Sequence, residues 1–475
     1  MAKRKRTETS ENIAAQVAVP MKKVKSASSS SAKEPVTIQI VAGSYDRILH
    51  GVTATICPSN EVLFADTFLF NAHTSAIRCL ALSPVSAPVP KQHQKIILAS
   101  GSTDERINLY HLSAHAPSKI TVPVIPSLTS KAVVENPQNR ELGSLLHHSS
   151  TVTALYFPNR SKLLSSAEDS TIAVTRTRDW TLLSTIKAPI PKPVGRPSGD
   201  TAPLGGAPSG VNDFAVHPSM KLMISVGKGE KSMRLWNLVT GKKAGVLNFD
   251  RRMLAAAGEG RHSSGEGRKV AWGSTDDGEE FCVGFEQGAL VFGMDSKPRC
   301  KILPEPKTKM HTICYIQVGE DDDVQVLAIS TEDGRILFYS TRPSDLVTAE
   351  VAEGKEAPLL SAKLIAQLGG KDVKLSGRIK DFVVLDIKKG ASKEFIIVAG
   401  GSDGALRLWR LASKDLAAHG GKTKQVGKLL GTYETTNRIT CLQAFVMLPK
   451  LEGSESEEIE EFQGLEEEAS SSDSE

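Results

Sequence analysis

A turn signature built around an acidic residue recurs at SGSTDERINLY (100–110), SSAEDSTIAVT (165–175), ISTEDGRILFY (329–339) and AGGSDGALRLW (399–409). In each copy small residues end one strand and a short turn follows. A hydrophobe three residues after the acid opens a second strand, which carries an aromatic position three later in three of the four copies. A unit repeated in this way stacks into a linear or closed array, not into one pocket on a unique scaffold.

Seven units are legible, opened by AIRCLALSP, TVTALYFP, GVNDFAVHP, RKVAWGS, HTICYIQV, RIKDFVVLDI and RITCLQAF. Several share a branched residue followed by apolar positions, as in Ile77/Leu80/Leu82, Val152/Leu155/Phe157, Val211/Phe214/Val216 and Ile379/Phe382/Val384. Neighbouring residues of a strand face opposite sides of the sheet, so apolar residues on both sides predict a sheet covered on both faces. The turn positions fall at Asp46, Asp104, Asp169, Glu230, Gln287, Asp333 and Asp403, spaced 46 to 70 residues apart. Insertions at 113–140, 188–208, 250–267, 341–360 and 412–427 absorb the excess and read as surface loops. The last unit has a first strand, 438–445, with nothing after it, whereas 37–44, 46–54 and 62–70 lack a first strand before them. Joining these four segments closes a ring and covers its last open edge. The expectation is an all-β, seven-bladed β-propeller sealed by both chain ends.

Outside the propeller, at 36–450, composition changes sharply. Residues 1–33 carry a net charge of +6 and residues 452–475 a net charge of −11, which leaves +9 on the stretch between them. Residues 1–35 are expected to be a disordered basic arm, and 451–475 a disordered acidic Ser/Glu tail. In the tail, Ser454, Ser456, Ser470, Ser471, Ser472 and Ser474 are candidate phosphorylation sites that would deepen its charge. The arm holds two basic clusters, Lys3, Arg4, Lys5, Arg6 and Lys22, Lys23, Lys25, which suit the acidic groove of an import receptor. No apolar run reaches the roughly 18–20 residues of a membrane span, and the start has no signal-peptide apolar region. Cys57, Cys79, Cys282, Cys300, Cys314 and Cys441 are scattered without a C-x-x-C pair. Of these, Cys79, Cys314 and Cys441 sit in apolar strand-like segments and read as small core hydrophobes in a reducing compartment, and no metal or cofactor is expected.

The segments HTSAIRCLALSP, GSTDERINLYHL, MRLWNL and LRLWRL resemble WD40 repeats. Across 36–446 the chain more specifically resembles the PAK-interacting WD-repeat proteins and their fungal maintenance-of-killer counterpart. That likeness rests on VAGSYDRILHGV, NAHTSAI, LLHHSSTVTALYFPNRSKLLSSAEDSTI, VHPSMKLMISVGKGEKSMRLWNLVTGK, the VAW of the fourth blade, SDGALRLWRL and TNRITCL. The resemblance implies a nuclear and nucleolar protein acting in assembly of the large ribosomal subunit, and in animals restraint of a PAK-type kinase. The fourth blade departs from the pattern, with Gln287 at the turn and Gly293 at the usual aromatic position.

The recurring polar residues are expected to be structural. His73 or His148, paired with Asp104 or Asp169, can bond across a blade, and the same holding role falls to Asp46, Glu230, Asp333, Asp403, Trp236 and Trp409. Such pairs recur in several blades with no common nucleophile, which argues against a catalytic dyad. SVGKGEKS (225–232) fails as a phosphate loop because Ser225 and Glu230 stand where that loop needs glycine. The acids Asp276, Asp277, Asp321, Asp322 and Asp323 read as solvated hairpin loops. A candidate basic binding face gathers Lys228, Lys231, Arg251, Arg252, Lys371, Lys374 and Arg378 from turns and blade-to-blade loops of one rim.

The functional expectation is a non-enzymatic scaffold in assembly of the large (60S) ribosomal subunit and its rRNA. It would be monomeric within a larger complex of pre-60S assembly factors and ribosomal proteins, with rRNA itself a candidate contact. The alternative is a binding inhibitor of a PAK-type kinase. A ubiquitin-ligase or chromatin adaptor is a third reading by fold analogy alone.

Overall fold

Small residues before each turn and branched residues opening each unit determine how neighbouring sheets meet. Gly101, at the end of the second strand of its unit, lies so close to the next unit that a Cβ there would come 2.7 Å from Val152 Cγ1. The same clearance recurs at Gly43 against Ile77, Gly284 against Ile313 and Gly400 against Ile439. Each glycine makes room for the branched residue that opens the following blade.

The computed structural model describes residues 35–90, 92–117, 124–126, 132–134, 136–190, 209–260, 263–319, 325–347, 359–373, 375, 377–388, 393–417 and 424–449. They form seven antiparallel blades, each with strands a to d from the centre outward. Blade 1 comprises Ile77–Leu82, Lys95–Ser102, Ile107–Ser113 and Arg140–Leu145. Blade 2 comprises Val152–Asn159, Lys162–Ala167, Thr171–Arg176 and Leu182–Lys187. Blade 3 comprises Val211–Val216, Leu222–Gly227, Ser232–Asn237 and Lys242–Asn248. Blade 4 comprises Lys269–Thr275, Gly278–Gly284, Ala289–Gly293 and Pro298–Ile302. Blade 5 comprises Met310–Gln317, Gln325–Thr331, Arg335–Ser340 and Lys363–Gly369. Blade 6 comprises Ile379–Lys388, Glu394–Gly401, Ala405–Ala412 and Lys428–Glu434.

Blade 7 is the composite one. Its strand a is Ile439–Val446, and strands b to d are Val36–Ser44, Ile48–Ile56 and Val62–Asn71. The two chain ends pair antiparallel, with Ile40 opposite Ala444 and Ala42 opposite Leu442. Each inner strand packs on the next, and Ile439–Val446 returns to Ile77–Leu82, so the ring is closed.

The hydrophobic core is divided among the blade interfaces. Phe338 and Ile336 of blade 5 pack with Ile397 and Trp409 of blade 6, and Ile38 and Leu442 of blade 7 pack with Val398 and Leu408 of blade 6. Each sheet is therefore covered on both faces, as the two-sided apolar strands require.

Around the channel, side chains on strand a bond to the adjacent inner strand. Thr153 Oγ1 donates to Val211 O at 2.6 Å, Thr312 Oγ1 to Lys380 O at 3.2 Å and Thr440 Oγ1 to Ile77 O at 2.6 Å. Asn212 Nδ2 donates to Gly267 O at 2.8 Å, and the Leu442 amide donates to Asp381 Oδ2 at 2.9 Å. This belt joins blades that would otherwise meet through apolar contacts alone.

Three insertions expected as plain surface loops do more than that. Residues 113–140 leave blade 1 between strands c and d, and place Val133 parallel to Asp66 on the outer strand of blade 7. Leu360–Ser361, from blade 5, lies parallel to Pro298–Ile302 of blade 4. Lys424–Gln425, from blade 6, lies parallel to Lys363–Gly369 of blade 5. Each insertion reaches back to the preceding blade and pairs with the edge that its strand d would leave open.

Candidate functional site

In a blade ordered a to d with antiparallel neighbours, the b–c turn and the d–a connection to the next blade lie at the same end. All seven turn positions from Asp46 to Asp403 fall in b–c turns. The fold thus gathers the repeated polar residues and the blade-to-blade loops onto one face around the channel mouth.

In blades 1 and 2 the turn acid ties its turn to the preceding connection through histidine. His73 Nδ1 lies 3.1 Å from Asp104 Oδ2, and His73 Nε2 lies 2.8 Å from Ser100 Oγ. The Thr74 amide donates to the same carboxylate at 3.0 Å, and the Arg106 amide at 3.1 Å. Burial pulls the His73 pKa below its ordinary value despite the neighbouring Asp104. A neutral ring donating from Nδ1 and accepting at Nε2 satisfies both contacts. In blade 2, His148 Nδ1 is 3.1 Å from Asp169 Oδ2 and Nε2 is 2.8 Å from Ser165 Oγ. Burial opposes ionisation of Asp104 and Asp169, but their hydrogen bonds outweigh it and hold both pKa values below the usual carboxylate value.

Blades 3, 5 and 6 solve the same problem with arginine. Arg234 forks onto Glu230, with Nη2 donating to Oε1 at 2.7 Å, and Arg407 Nη2 donates to Asp403 Oδ2 at 2.6 Å. Arg335 Nε donates to Asp333 Oδ2 at 2.8 Å, and its Nη1 to Glu305 O at 2.7 Å. These partners were missing from the sequence reading, although the D/E-x-x-x-R spacing at 230–234 and 403–407 carries the signal. Trp236 Nε1 donates to Ser225 Oγ at 2.8 Å, and Trp409 is buried between blades 5 and 6.

Blade 4 shows how the chain tolerates Gln287. The Glu259 carboxylate, from the connection before the blade, accepts the Glu286 amide at 2.9 Å and the Gln287 amide at 3.3 Å. An acid from outside the turn replaces the missing turn acid. That connection includes a helix, Arg251–Ala256, capped by Asp250 through the Met253 amide. In blade 7, Asp46 Oδ2 accepts the Arg438 amide at 3.3 Å, which ties the turn near the start of the chain to the returning end.

The candidate basic residues that the structure describes occupy this same end of the blades, but in different states. Lys228 is paired with Glu168 at 2.9 Å and Arg378 with Glu332 at 3.3 Å. Lys231, Arg251, Arg252 and Lys371 are exposed. Lys374, the import clusters Lys3–Arg6 and Lys22–Lys25, the tail serines and Asp321–Asp323 lie outside the described residues. Asp276 and Asp277, expected to be solvated, have side chains 57% and 58% exposed, and Asp277 also pairs with Arg299 at 2.5 Å.

Sequence reading also missed the channel mouth itself. A cavity of about 720 Å³ opens there, lined by Arg78, Lys228, Arg268, Lys269, Lys380 and Arg438 among others. Cys79 and Cys441 sit in its wall and are buried, with burial pushing the Cys79 thiol up to about 12. They fill space beside Gly101 and Gly43, and a thiol with so high a pKa is a poor nucleophile. Among the described residues no group of three or more His, Cys, Asp or Glu is placed to hold a metal ion, and no helix is long and apolar enough to cross a membrane.

Comparison with known proteins agrees with this architecture. The WD domain, G-beta repeat family matches residues 139–174, which run from the outer strand of blade 1 to strand c of blade 2. The chain is 24% identical over 406 residues to the p21-activated protein kinase-interacting protein 1-like of Danio rerio, covering 85% of this chain and 80% of that one. It is 27% identical over 429 residues to Protein MAK11 of Saccharomyces cerevisiae, covering 85% and 82%. The Shk1 kinase-binding protein 15 of Schizosaccharomyces pombe is 25% identical over 308 residues, 64% of this chain and 69% of that one. With blades, turn acids and a closing strand in place, the chain is a WD40-repeat β-propeller resembling the PAK-interacting and MAK11 proteins.

Proposed function

We propose that this chain is a non-enzymatic scaffold for assembly and maturation of the large (60S) ribosomal subunit in the nucleolus. The observation that carries this reading is the similarity to MAK11 over most of both chains, the fungal side of the resemblance that implies 60S assembly. In this reading the basic arm at 1–35 serves nuclear import, the propeller at 36–450 is the platform, and the acidic segment at 451–475 meets basic ribosomal proteins. The mechanism is placement. Loops held by a closed ring lose little conformational freedom when a partner docks. Exposed cations on the turn face, Lys231, Arg251, Arg252 and Lys371, are the candidate contacts to rRNA phosphates, together with Lys374, and such contacts weaken steeply with salt.

The test is sedimentation of tagged protein from nuclear extract. Comigration with large-subunit precursors, lost when Lys231, Arg251 and Lys371 are each changed to Glu, is the expected result. Absence from those fractions overturns the reading. A second reading, binding and restraint of a PAK-type kinase, is favoured by the names of two relatives, which describe kinase interaction. Cosedimentation with the kinase alone would select it.

A further inference from the structure

The channel mouth separates its charges unevenly. Its carboxylates are already engaged: Glu168 with Lys228 at 2.9 Å, Asp213 with the Val270 amide at 3.1 Å, and Glu266 with the Gly229 amide at 2.8 Å. Asp381 accepts Thr312 Oγ1 at 3.1 Å and the Phe382 and Leu442 amides at 3.0 and 2.9 Å. Three of its cations are not so engaged. Among the described residues, Arg78, Lys380 and Arg438 have no carboxylate within ion-pair distance. They come from the starts of the inner strands of blades 1, 6 and 7, three consecutive blades of the ring.

Two of the three, Arg438 and Lys380, are oriented by their surroundings without being neutralised. The Arg438 guanidinium lies over the Tyr45 ring, 5.5 Å from its centroid. Lys380 Nζ is 3.5 Å from His311 Nε2. Burial, then Lys380 itself, pushes His311 down to about 4, so at neutral pH the ring accepts rather than competes. Lys380 is in turn pulled below its ordinary pKa, by burial first, with Glu332 opposing the shift and Arg378, Arg438 and Lys309 adding to it. Like charges held together in a concave site focus a positive potential on the space between them.

The geometry points to a binding site for a compact polyphosphate, a small molecule carrying several phosphate groups, at this mouth. Its volume of about 720 Å³ lies in the range of small-molecule sites. Arginine and lysine converging from three blades suit phosphate groups that diverge from one centre. A peptide strand would need free backbone groups to pair with, and the belt of Thr153, Asn212, Thr312 and Thr440 already engages backbone carbonyls of the inner strands. Single-stranded RNA would need free aromatic platforms for its bases, and the lining offers Tyr45, which Arg438 already covers, and His311, which Lys380 already engages. The inference is independent of the assembly reading, because it rests on the mouth and not on the exposed cations of the outer loops.

The experiment is titration of the full chain with inositol hexakisphosphate at physiological salt, by calorimetry and by thermal unfolding of the propeller. Expected are one site that raises the unfolding temperature, no response to uncharged inositol, and affinity reduced about tenfold or more by each of Arg78→Gln, Lys380→Gln and Arg438→Gln. Lys243→Gln, exposed on the outer strand of blade 3, should leave the affinity unchanged, and circular dichroism should show the variants folded. Binding that survives the three substitutions, as binding to the basic arm would, overturns the proposal. So does a lack of any thermal stabilisation, or RNA or poly-glutamate binding that depends on Arg78 and that the polyphosphate does not displace. Comigration with pre-ribosomes can succeed or fail whatever this titration gives.

Discussion

Closure by strands from opposite ends of the chain makes Leu442→Ala a sharp perturbation. Leu442 has no exposed surface, and it packs with Ile38, Ile40, Val398 and Leu408, residues of blades 6 and 7. Its amide bonds Asp381 across the blade boundary. Truncating a fully buried leucine costs about 2.7–5.0 kcal/mol, more where the walls cannot relax into the cavity. These walls belong to two sheets held by backbone ladders, so relaxation is limited and a loss of about 4 kcal/mol is expected. Urea unfolding can be followed by tryptophan fluorescence, since Trp409 lies at the neighbouring interface of blades 5 and 6. With a denaturant slope of about 3 kcal/mol per M or somewhat more, the midpoint should fall by roughly 1 M. Leu429→Ala, at a site 41% exposed on the outer strand of blade 6, should cost no more than about 0.5 kcal/mol. If Leu442→Ala costs under about 1 kcal/mol, or no more than the Leu429 control, the terminal strand does not seal the ring and the reasoning fails.

Three further outcomes are expected. Arg234→Met leaves Glu230 without its partner where both side chains are 10% exposed, so it should cost about 3–5 kcal/mol in urea unfolding, with much of this recovered by adding Glu230→Gln. Tyr433→Phe removes a hydroxyl that donates to Asp66 across the boundary of blades 6 and 7 while His50 remains 2.6 Å from the same carboxylate. Its expected cost is about 1–2 kcal/mol. Acidification should act in two windows. Burial holds His73 below 6.5 and His147 and His311 at about 4, so the unfolded chain takes up protons that the fold refuses, and stability falls as pH drops from 6.5 toward 4. Asp104, Asp169 and Asp333 sit below 3.8 when folded, so their contribution persists above that pH and is lost only on further acidification. A titration of the urea midpoint from pH 7 to 4 checks the first window, which His147→Gln should flatten.

What the sequence made legible was local in the chain or repeated along it. Each turn acid stands a fixed distance before the hydrophobes of strand c, and the orphan strand at 438–445 announced its missing partners by its own isolation. What escaped was non-local. Glu259 serves a turn 28 residues onward through a connection of no fixed length, and no spacing rule marks it. The edge-pairing segments at Leu360–Ser361 and Lys424–Gln425 are two residues long, too short to show strand periodicity. The channel mouth was harder still, because Arg78, Lys380 and Arg438 become neighbours only when the ring closes. The basic face was sought in loops rich in lysine and arginine, yet Lys228 and Arg378 spend their charge on Glu168 and Glu332.

The residues that define the repeat are therefore poor candidates for partner recognition. Asp104, Asp169, Glu230, Asp333 and Asp403 each accept two or more donors from their own blade or the connection before it. Turning any of them toward a ligand would release a loop and leave a buried donor unpaired, at a cost of about 1–3 kcal/mol before any contact is gained. Recognition must then use groups whose removal leaves the blades intact. On the turn face the exposed cations of the connections and the unpaired cations of the mouth meet that condition, and they are the groups both proposals use. The repeat builds the face, and the residues that break the repeat's own pattern of pairing are those left to read a partner.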